Sequence, residues 1–444
     1  MTRIPATGSP PWEKLMLTHV PLPQRQELTA RGTFLAYPRL PWPLRAMNGL
    51  LGPLAPRMWP LDPEALNRKA AVRAKVPAVA ADTTFEEPLA LLCHSLTEEV
   101  QLTANGRFML HSQLVNNLST RLRLAELAAR RPEIFEAPVP EPLFITGAPR
   151  TGTTFLQRLI ARDPRSRSLP LWESTHPLPD GDLTAARKDP DPRIKASRVE
   201  VGMTNRILPE QAAMHELVYD EAEEDNLLLS LSHCSPMYED IGLVPAYTRW
   251  YTTTDHTDGY RYFKRVLQFL QWSRPAGDRW VLKSPGHAEM LLPLFGAFDD
   301  ATVVQTHRDP VTSVISFSNM VAYGARVYFA HPNPHLIGKY AADVIERSLR
   351  ASLRDRVGRE HQVVDVLFRP LVEDPLREVR RVYEAADREL DAVTEQAMRA
   401  YAKAEEHRSG RHRYAAEDFA LDVSELRERF AFYYDHFDVP QEKR

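Results

Sequence analysis

The stretch PLFITGAPRTGTTFLQRLI, residues 142–160, decides the fold of this chain. Residues 143–146 form an apolar run short enough for a buried strand, and residues 147–152 contain the glycines and proline typical of a turn. Residues 153–161 then place apolar side chains at helical spacing. A strand, a turn and a helix in this order predict one unit of an α/β fold.

The same alternation of strand and helix recurs further along the chain. Residues 302–306 predict a second buried strand, and residues 311–320 predict a helix with a proline near its start. A third strand is expected at residues 363–368, before a helix that begins near Asp374-Pro375. Repeated units of this kind predict a parallel sheet with helices on both faces, a P-loop-type α/β fold.

The remaining sequence divides around this α/β pattern. Residues 1–75 are rich in proline and predict an irregular segment, while residues 76–140 have the apolar spacing of a helical extension, interrupted at Asn105-Gly106. Residues 141–444 then form the α/β domain, with a helical insert at about residues 205–275. The sequence therefore predicts an N-terminal helical extension on one large catalytic unit.

Composition excludes several classes of protein. Lysine and arginine number 56 against 59 acidic residues, so the charge lacks the basic bias of a nucleic-acid binder. The two cysteines, Cys93 and Cys234, lie far apart and predict reduced thiols. The N-terminus has no signal-type apolar core, and no apolar run reaches about 18 residues, so we expect a cytoplasmic enzyme.

One apolar region leaves peripheral membrane contact open as an alternative. It contains Trp42, Leu44, Leu50, Leu51, Leu54, Met58 and Trp59. Such residues can face a lipid surface, but packing against an adjoining domain is the commoner outcome. We therefore expect these side chains to be covered by the protein itself.

The turn after the first strand has the composition of a phosphate-binding loop. Gly147 and Gly152 flank it, and the backbone N–H groups of such a loop hold an anion together with the following helix. Its spacing is similar to Walker A, yet a threonine stands where NTP-binding loops have their lysine. Further hydrogen-bond donors to an anion are Arg150, Thr151, Thr153 and Thr154.

The run PRTGTT, residues 149–154, resembles the 5′-phosphosulfate loop of sulfotransferases that use 3′-phosphoadenosine 5′-phosphosulfate (PAPS). The sequence QTHRDP, residues 305–310, is similar to the family's 3′-phosphate signature, an arginine after a strand followed eight residues later by a serine. Here these residues are Arg308 and Ser316. Two helical turns separate them, so both can hold one phosphate from the same helix face.

The resemblance extends from about residue 142 to the C-terminus and is nearest to the bacterial branch of the family. The segment KSPGH, residues 283–287, and the late segment GRHRY, residues 410–414, resemble that branch. The resemblance implies that PAPS is the donor and PAP, its desulfo form, the product. It also implies that residues 150–154 hold the 5′ side, and that Arg408 and Arg411 close over the 3′-phosphate.

Two cations are expected to stabilise the transition state of sulfuryl transfer. Lys283 ends a strand-like segment ahead of the 3′-phosphate signature, where the family has its catalytic lysine, and Arg150 lies in the loop itself. Fixed cations aimed at the sulfuryl oxygens lower the barrier because negative charge accumulates there. Both residues are therefore candidate catalytic groups.

Two candidates for the general base stay open. The animal branch has a histidine two residues after the lysine, but this sequence has Pro285 there and its histidine at His287. The rival is the acidic stretch around Glu224, where clustered carboxylates beside an apolar helix can have raised pKa values. No metal-binding spacing stands out, so no metal is predicted.

The sequence leaves two other functions open. A P-loop kinase would use ATP and bind Mg²⁺ at Thr154, although the missing Walker lysine argues against it. A nucleotide-binding module without catalysis is the second alternative, and the intact Lys283 argues against that. The preferred interpretation is transfer to a hydroxyl or amine of a small acceptor. Apolar residues at 227–231 and at Trp250-Tyr251 suggest a hydrophobic acceptor, although core packing explains them equally well. The oligomeric state is not assigned.

Overall fold

A five-stranded parallel sheet lies at the centre of the computed structural model, which describes residues 40–76, 82–181, 183, 190–209, 215–241, 244–406 and 415–442. The spatial order is β2-β3-β1-β4-β5, and each neighbouring pair is parallel. The strands are β1 (Leu143–Gly147), β2 (Ser166–Ser168), β3 (Arg279–Lys283), β4 (Thr302–His307) and β5 (Val363–Leu367).

The central strand, β1, is buried along its whole length. It pairs with β3 on one side, where Ile145 lies opposite Lys283, and with β4 on the other, where Gly147 lies opposite Thr306. Because parallel strands end at the same edge of a sheet, the segments after β1, β3 and β4 meet there. This edge is where the sequence places its candidate site.

Helices cover both faces of the sheet, as the alternation of strands and helices predicts. This confirms the expected fold class. Among the described residues of the α/β region the helices are, in chain order, Thr153–Ile160, Leu171–Thr175, Pro192–Ile207, Asn226–Leu229, Met237–Ile241, Pro245–Thr253, Thr257–Ser273, Leu291–Ala297, Pro310–Tyr328, Pro334–Asp355, Phe368–Glu373, Pro375–Ala385, Ala392–Glu406, Val423–Arg429 and Ala431–Phe437. Short 3₁₀ turns connect several of them, including Pro285–Glu289 directly after β3.

The described part of the segment expected to be irregular is largely helical. Its helices are Trp42–Leu51, Ala55–Met58 and Pro63–Ala74. Each has a proline in its first two positions, where the missing N–H would have no helical partner. Proline here starts helices instead of breaking them, which is why composition alone gave the wrong expectation.

The helical extension continues with Glu86–His94 and the long helix Ala104–Arg130. Asn105-Gly106, expected to interrupt the extension, lies inside the first turn of the long helix, which Thr103 caps by accepting from the Gly106 N–H at 2.9 Å. A Cβ at Gly106 would lie 2.4 Å from the Tyr328 carbonyl oxygen. The glycine therefore allows close backbone contact with the α/β region.

The apolar N-terminal residues are only partly covered. Leu44, Leu51 and Trp59 are half-buried, and the Trp59 ring lies 5.2 Å from that of Phe108. The other four are exposed, with Trp42 at 73%. The expectation of full packing was therefore wrong for this second set. Among the described residues no helix is long and apolar enough to cross a membrane.

Candidate active site

The loop between β1 and the helix Thr153–Ile160 has the backbone shape of an anion cradle. Arg150 and Gly152 both have positive φ, 72° and 93°, so consecutive N–H groups turn toward one side. The helix begins immediately after Gly152 and directs its unpaired N–H groups to the same place. These residues fit a phosphate or sulfate group.

Strand β4 fixes the base of this loop. A Cβ at Gly147 would lie 2.4 Å from the Thr306 carbonyl oxygen, so only glycine permits this approach. The buried Thr151 hydroxyl donates to the Ala148 carbonyl at 2.7 Å and shares a hydrogen bond with the Thr306 hydroxyl. The Thr151 side chain thus holds the loop together, and its hydroxyl is already engaged inside the protein.

Lys283 reaches the loop from the end of β3. Its side chain is fully buried, and its ammonium donates to the Thr154 hydroxyl at 3.2 Å and to Glu224 Oε1 at 2.7 Å. The Glu224 side chain is 23% exposed. The Lys283 ammonium therefore connects two other predicted site residues, Thr154 and Glu224, through its hydrogen bonds.

Glu224 is positioned by the acidic residue before it. Glu223 Oε1 accepts from the Glu224 N–H at 2.9 Å and lies 2.9 Å from His215 Nε2. Burial opposes ionisation of Glu223, but the His215 imidazole and the Lys283 ammonium hold its pKa well below its ordinary range. The raised pKa expected for this acidic stretch does not occur at Glu223.

One group of side chains in the described part of the chain has ligand atoms close enough to hold a metal ion. His215, Glu223 and Glu224 offer one atom each, all within 4.8 Å of one another. The Lys283 ammonium is bonded to the same Glu224 carboxylate, so a cation already balances this charge. The arrangement suits an ammonium–carboxylate pair better than a second cation.

His287 lies behind this group and has no accessible nitrogen. It is fully buried, with Nδ1 2.8 Å from the Tyr260 hydroxyl and Nε2 3.1 Å from Asp225 Oδ2. Asp225 follows Glu224 directly and donates its N–H to the Lys283 carbonyl at 3.1 Å. His287 therefore contacts the segment that carries Glu224 and lies away from the cradle.

Arg308 links the second predicted signature to the first. Its Nη1 donates to the Arg150 carbonyl at 3.0 Å, and its guanidinium lies 4.1 Å above the Phe368 ring. Ser316 lies two turns along the helix Pro310–Tyr328 and is buried. The structure brings the two signatures together at one edge of the sheet; Arg408 and Arg411 lie outside the described residues.

One residue at this edge was not anticipated. The Glu442 carboxylate, close to the C-terminus, accepts two hydrogen bonds from Arg308. No motif marks Glu442 in the sequence, because a single glutamate after a proline carries no periodic or spacing signal. Only the folded chain shows that it reaches the 3′-phosphate signature.

An anion cradle at the carboxyl end of a parallel sheet, with a buried lysine and a carboxylate beside it, defines a P-loop-type nucleotide-binding transferase. The more particular assignment comes from sequence. A model of the sulfotransferase family matches residues 142–392, and this chain belongs to that family. It is therefore a transferase enzyme, as its motifs predicted.

Solved structures agree with this assignment. The chain is 28% identical to sulfotransferase STF9 from Mycobacterium avium, with a TM-score of 0.75 over 86% of this chain and 98% of that one. It is also 28% identical to sulfotransferase STF1 from Mycobacterium tuberculosis, with a TM-score of 0.72 over 83% of this chain and 98% of that one. Among curated protein sequences none matches.

Proposed function

We propose that this enzyme takes the sulfuryl group from PAPS and transfers it to a hydroxyl or amine of a small acceptor. One observation carries the proposal: a buried lysine bridges a hydroxyl of the phosphate loop and a carboxylate at the site's edge. The same three groups would serve the donor, the transition state and the acceptor.

The loop supplies the donors for the 5′ side of PAPS. The N–H groups of residues 150–154, the Arg150 guanidinium and the hydroxyls of Thr153 and Thr154 suit the oxygens of a phosphosulfate. Arg308 and Ser316 would hold the 3′-phosphate. PAPS supplies an activated sulfur–oxygen bond, so the enzyme needs to position groups and stabilise charge.

Lys283 is proposed to stabilise the leaving oxygen and the sulfuryl oxygens. Its ammonium is already within 3.2 Å of the Thr154 hydroxyl, on the loop that would hold the phosphosulfate. During transfer the acceptor oxygen or nitrogen bonds to sulfur while the bond from sulfur to the phosphate oxygen of PAP breaks. Negative charge then grows on that oxygen, where a buried cation acts strongly.

Glu224 is the base we favour for the acceptor's proton. Its side chain is partly exposed, whereas both nitrogens of His287 are engaged inside the protein. Donor binding gives Lys283 a new anionic partner, and the Glu224 carboxylate can then accept the proton of the acceptor hydroxyl or amine. His287 would hold Asp225 and, through it, the segment that carries Glu224.

The acceptor is not marked by the apolar residues that suggested a hydrophobic molecule. Leu228, Leu229, Leu231 and Tyr251 are buried in the main hydrophobic core. Core packing explains them, so they say nothing about the acceptor. The proposal therefore extends only to a small molecule with a hydroxyl or amine.

Isothermal titration of the full chain with PAP, and separately with ATP and Mg²⁺, tests the donor. We expect PAP to bind and Arg308→Ala to weaken it at least tenfold, because a charge-assisted contact to phosphate is lost. Arg369→Ala is the matched control, since Arg369 is exposed and forms an ion pair with the exposed Glu373. Binding of ATP with Mg²⁺ but not of PAP would overturn the proposal and favour the kinase.

A further inference from the structure

The C-terminal residues of the described chain return to the start of the helix Pro310–Tyr328. The Glu442 carboxylate accepts from Arg308 through both oxygens, Nε to Oε1 at 2.6 Å and Nη2 to Oε2 at 3.0 Å. The Thr312 hydroxyl donates to Oε2 at 3.4 Å, and the Glu442 N–H donates to Asp309 Oδ2 at 2.8 Å. Four contacts thus hold this glutamate in place.

Arg308 and Thr312 form an anion site, and the chain fills it with the Glu442 carboxylate. A guanidinium fork binds carboxylate and phosphate with the same bidentate geometry. A hydroxyl from the first turn of a long helix and the positive end of that helix add to the attraction. A phosphate group would therefore find here the two side-chain donors that the Glu442 carboxylate now uses.

The Arg308 guanidinium has little freedom to serve two anions at once. Its Nη1 is committed to the Arg150 carbonyl at 3.0 Å, and its plane lies on the Phe368 ring. Nε and Nη2, the edge that remains, both point to Glu442. A 3′-phosphate that used this edge would have to displace the carboxylate.

Displacement is physically accessible. The side chains of Arg308 and Glu442 are 23% and 35% exposed, so water can replace either partner without a buried charge being stranded. A phosphate monoester carries between one and two negative charges at neutral pH, against one for the glutamate. The ligand is therefore the stronger anion for the same edge.

We propose that Glu442 is a built-in competitor for the donor's 3′-phosphate, so that the C-terminal strap, residues 438–442, closes the donor site when no donor is bound. This inference rests on the proposed function, since it takes Arg308 as the 3′-phosphate ligand. The apparent Kd for the donor then equals the intrinsic Kd divided by the fraction of molecules in which the strap is open.

Titration of the full-length wild type and of Glu442→Gln with PAP tests the competition. Glutamine keeps the size of the side chain and removes its charge, so we expect the Kd for PAP to fall about fivefold or more. Adenosine 5′-phosphate lacks the 3′-phosphate, and its Kd should be the same in both proteins. Glu428→Gln, an exposed glutamate on the helix Val423–Arg429, is the matched control and should leave both values unchanged.

Hydrogen–deuterium exchange on the wild-type chain gives a second measurement that needs no variant. The Glu442 N–H is bonded to Asp309 in the closed strap, so PAP should speed exchange in the peptide containing residues 438–442. Adenosine 5′-phosphate should leave that exchange unchanged. Slower exchange with PAP would overturn the proposal, because it would mean that the strap tightens on the ligand.

The results separate this inference from the function on which it rests. If PAP binds, Arg308→Ala weakens it and Glu442→Gln leaves or raises the Kd, the competition is overturned and the sulfotransferase proposal stands. If PAP binds none of the proteins, both are overturned. A fivefold gain in affinity that is seen only for PAP, and only in Glu442→Gln, would support both the competition and the sulfotransferase proposal.

Discussion

At the scale of single residues, the structure changes the roles that spacing suggested for the two base candidates. Glu224 accepts from the Lys283 ammonium and has a partly exposed side chain, whereas His287 bridges Tyr260 and Asp225 in the interior. A group that accepts a proton must reach the acceptor, so access decides between them. The assignment of Glu224 is therefore open to direct test.

We expect Glu224→Gln to lower kcat at least about a hundredfold while the Kd for PAP changes less than about threefold. Glutamine can still accept a hydrogen bond from Lys283 but cannot take a proton at neutral pH. The measurement is the rate of PAP release from PAPS with an acceptor chosen from a panel of phenols, alcohols and amines.

The comparison variant is His287→Gln, which should lower the melting temperature because it breaks two buried hydrogen bonds. A stable His287→Gln protein that loses more kcat than Glu224→Gln would reverse the assignment and make the histidine the base.

At the scale of elements, the phosphate loop depends on a backbone shape that only some residues adopt. Gly152 has φ of 93°, and a Cβ there would lie 3.2 Å from the Leu371 and Phe368 side chains. Alanine would be strained at this position whatever the space around it. Replacing Gly152 by alanine should therefore distort the backbone of the loop that forms the anion cradle.

We expect Gly152→Ala to weaken PAP binding at least tenfold and to lower the free energy of unfolding by about 1–2 kcal/mol. Gly324→Ala is the matched control: it lies in the helix Pro310–Tyr328 with nothing within 4 Å of the added Cβ, and should raise stability by up to about 1 kcal/mol. Titration calorimetry and urea unfolding measure the two effects. Equal PAP affinity in both variants would contradict the role of the loop.

The elements also show how far sequence reasoning could go. The three strands that it predicted are rich in apolar and β-branched residues, and both signatures lie where such runs end, so strand ends and site residues were found together. Strand β2, three residues long with the polar sequence Ser-Arg-Ser, has no apolar period and was missed. The N-terminal helices were missed because their prolines stand at first turns, where proline is tolerated.

The site was less predictable than the fold for a related reason. Motifs identify residues that are near each other in sequence, such as residues 150–154, but contacts between distant segments leave no such pattern. The Lys283–Glu224 pair joins residues 59 apart, and Arg308–Glu442 joins residues 134 apart. Glu224 was a candidate only because it stands in an acidic stretch, and Glu442 had no signal.

At the scale of the whole molecule, the N-terminal helices and the sheet share one hydrophobic core. Leu66 and Leu110 from the helices belong to the same buried cluster as Phe144 and Leu282 from the strands. The extension therefore supports the sheet directly, and the two should unfold together. Stability of the whole chain then depends on groups that lie far from the candidate site.

His233 is one such group. It is fully buried, and among the described residues neither ring nitrogen has a hydrogen-bond partner. Burial, with the nearby Arg121 charge, lowers the pKa of His233 to about 3. The folded chain therefore keeps this imidazole neutral at pH values where the unfolded chain, with a pKa near 6.5, binds a proton. Its contribution to stability is complete above about pH 6.5 and is lost as the pH falls toward 3.

Replacing His233 by phenylalanine removes the group that binds a proton in the unfolded chain, and it keeps an aromatic ring between Phe85 and Tyr238. Between pH 7.5 and pH 5, we expect the free energy of unfolding of wild type to fall by about 2 kcal/mol more than that of His233→Phe, because only the wild-type unfolded chain is stabilised by protonation at this position. This difference does not depend on how stable the variant is at pH 7.5. Urea unfolding at the two pH values measures the difference. His361→Phe, at an exposed histidine, should show no such gain. Parallel pH dependences of wild type and His233→Phe would mean that His233 is protonated in the folded chain as well.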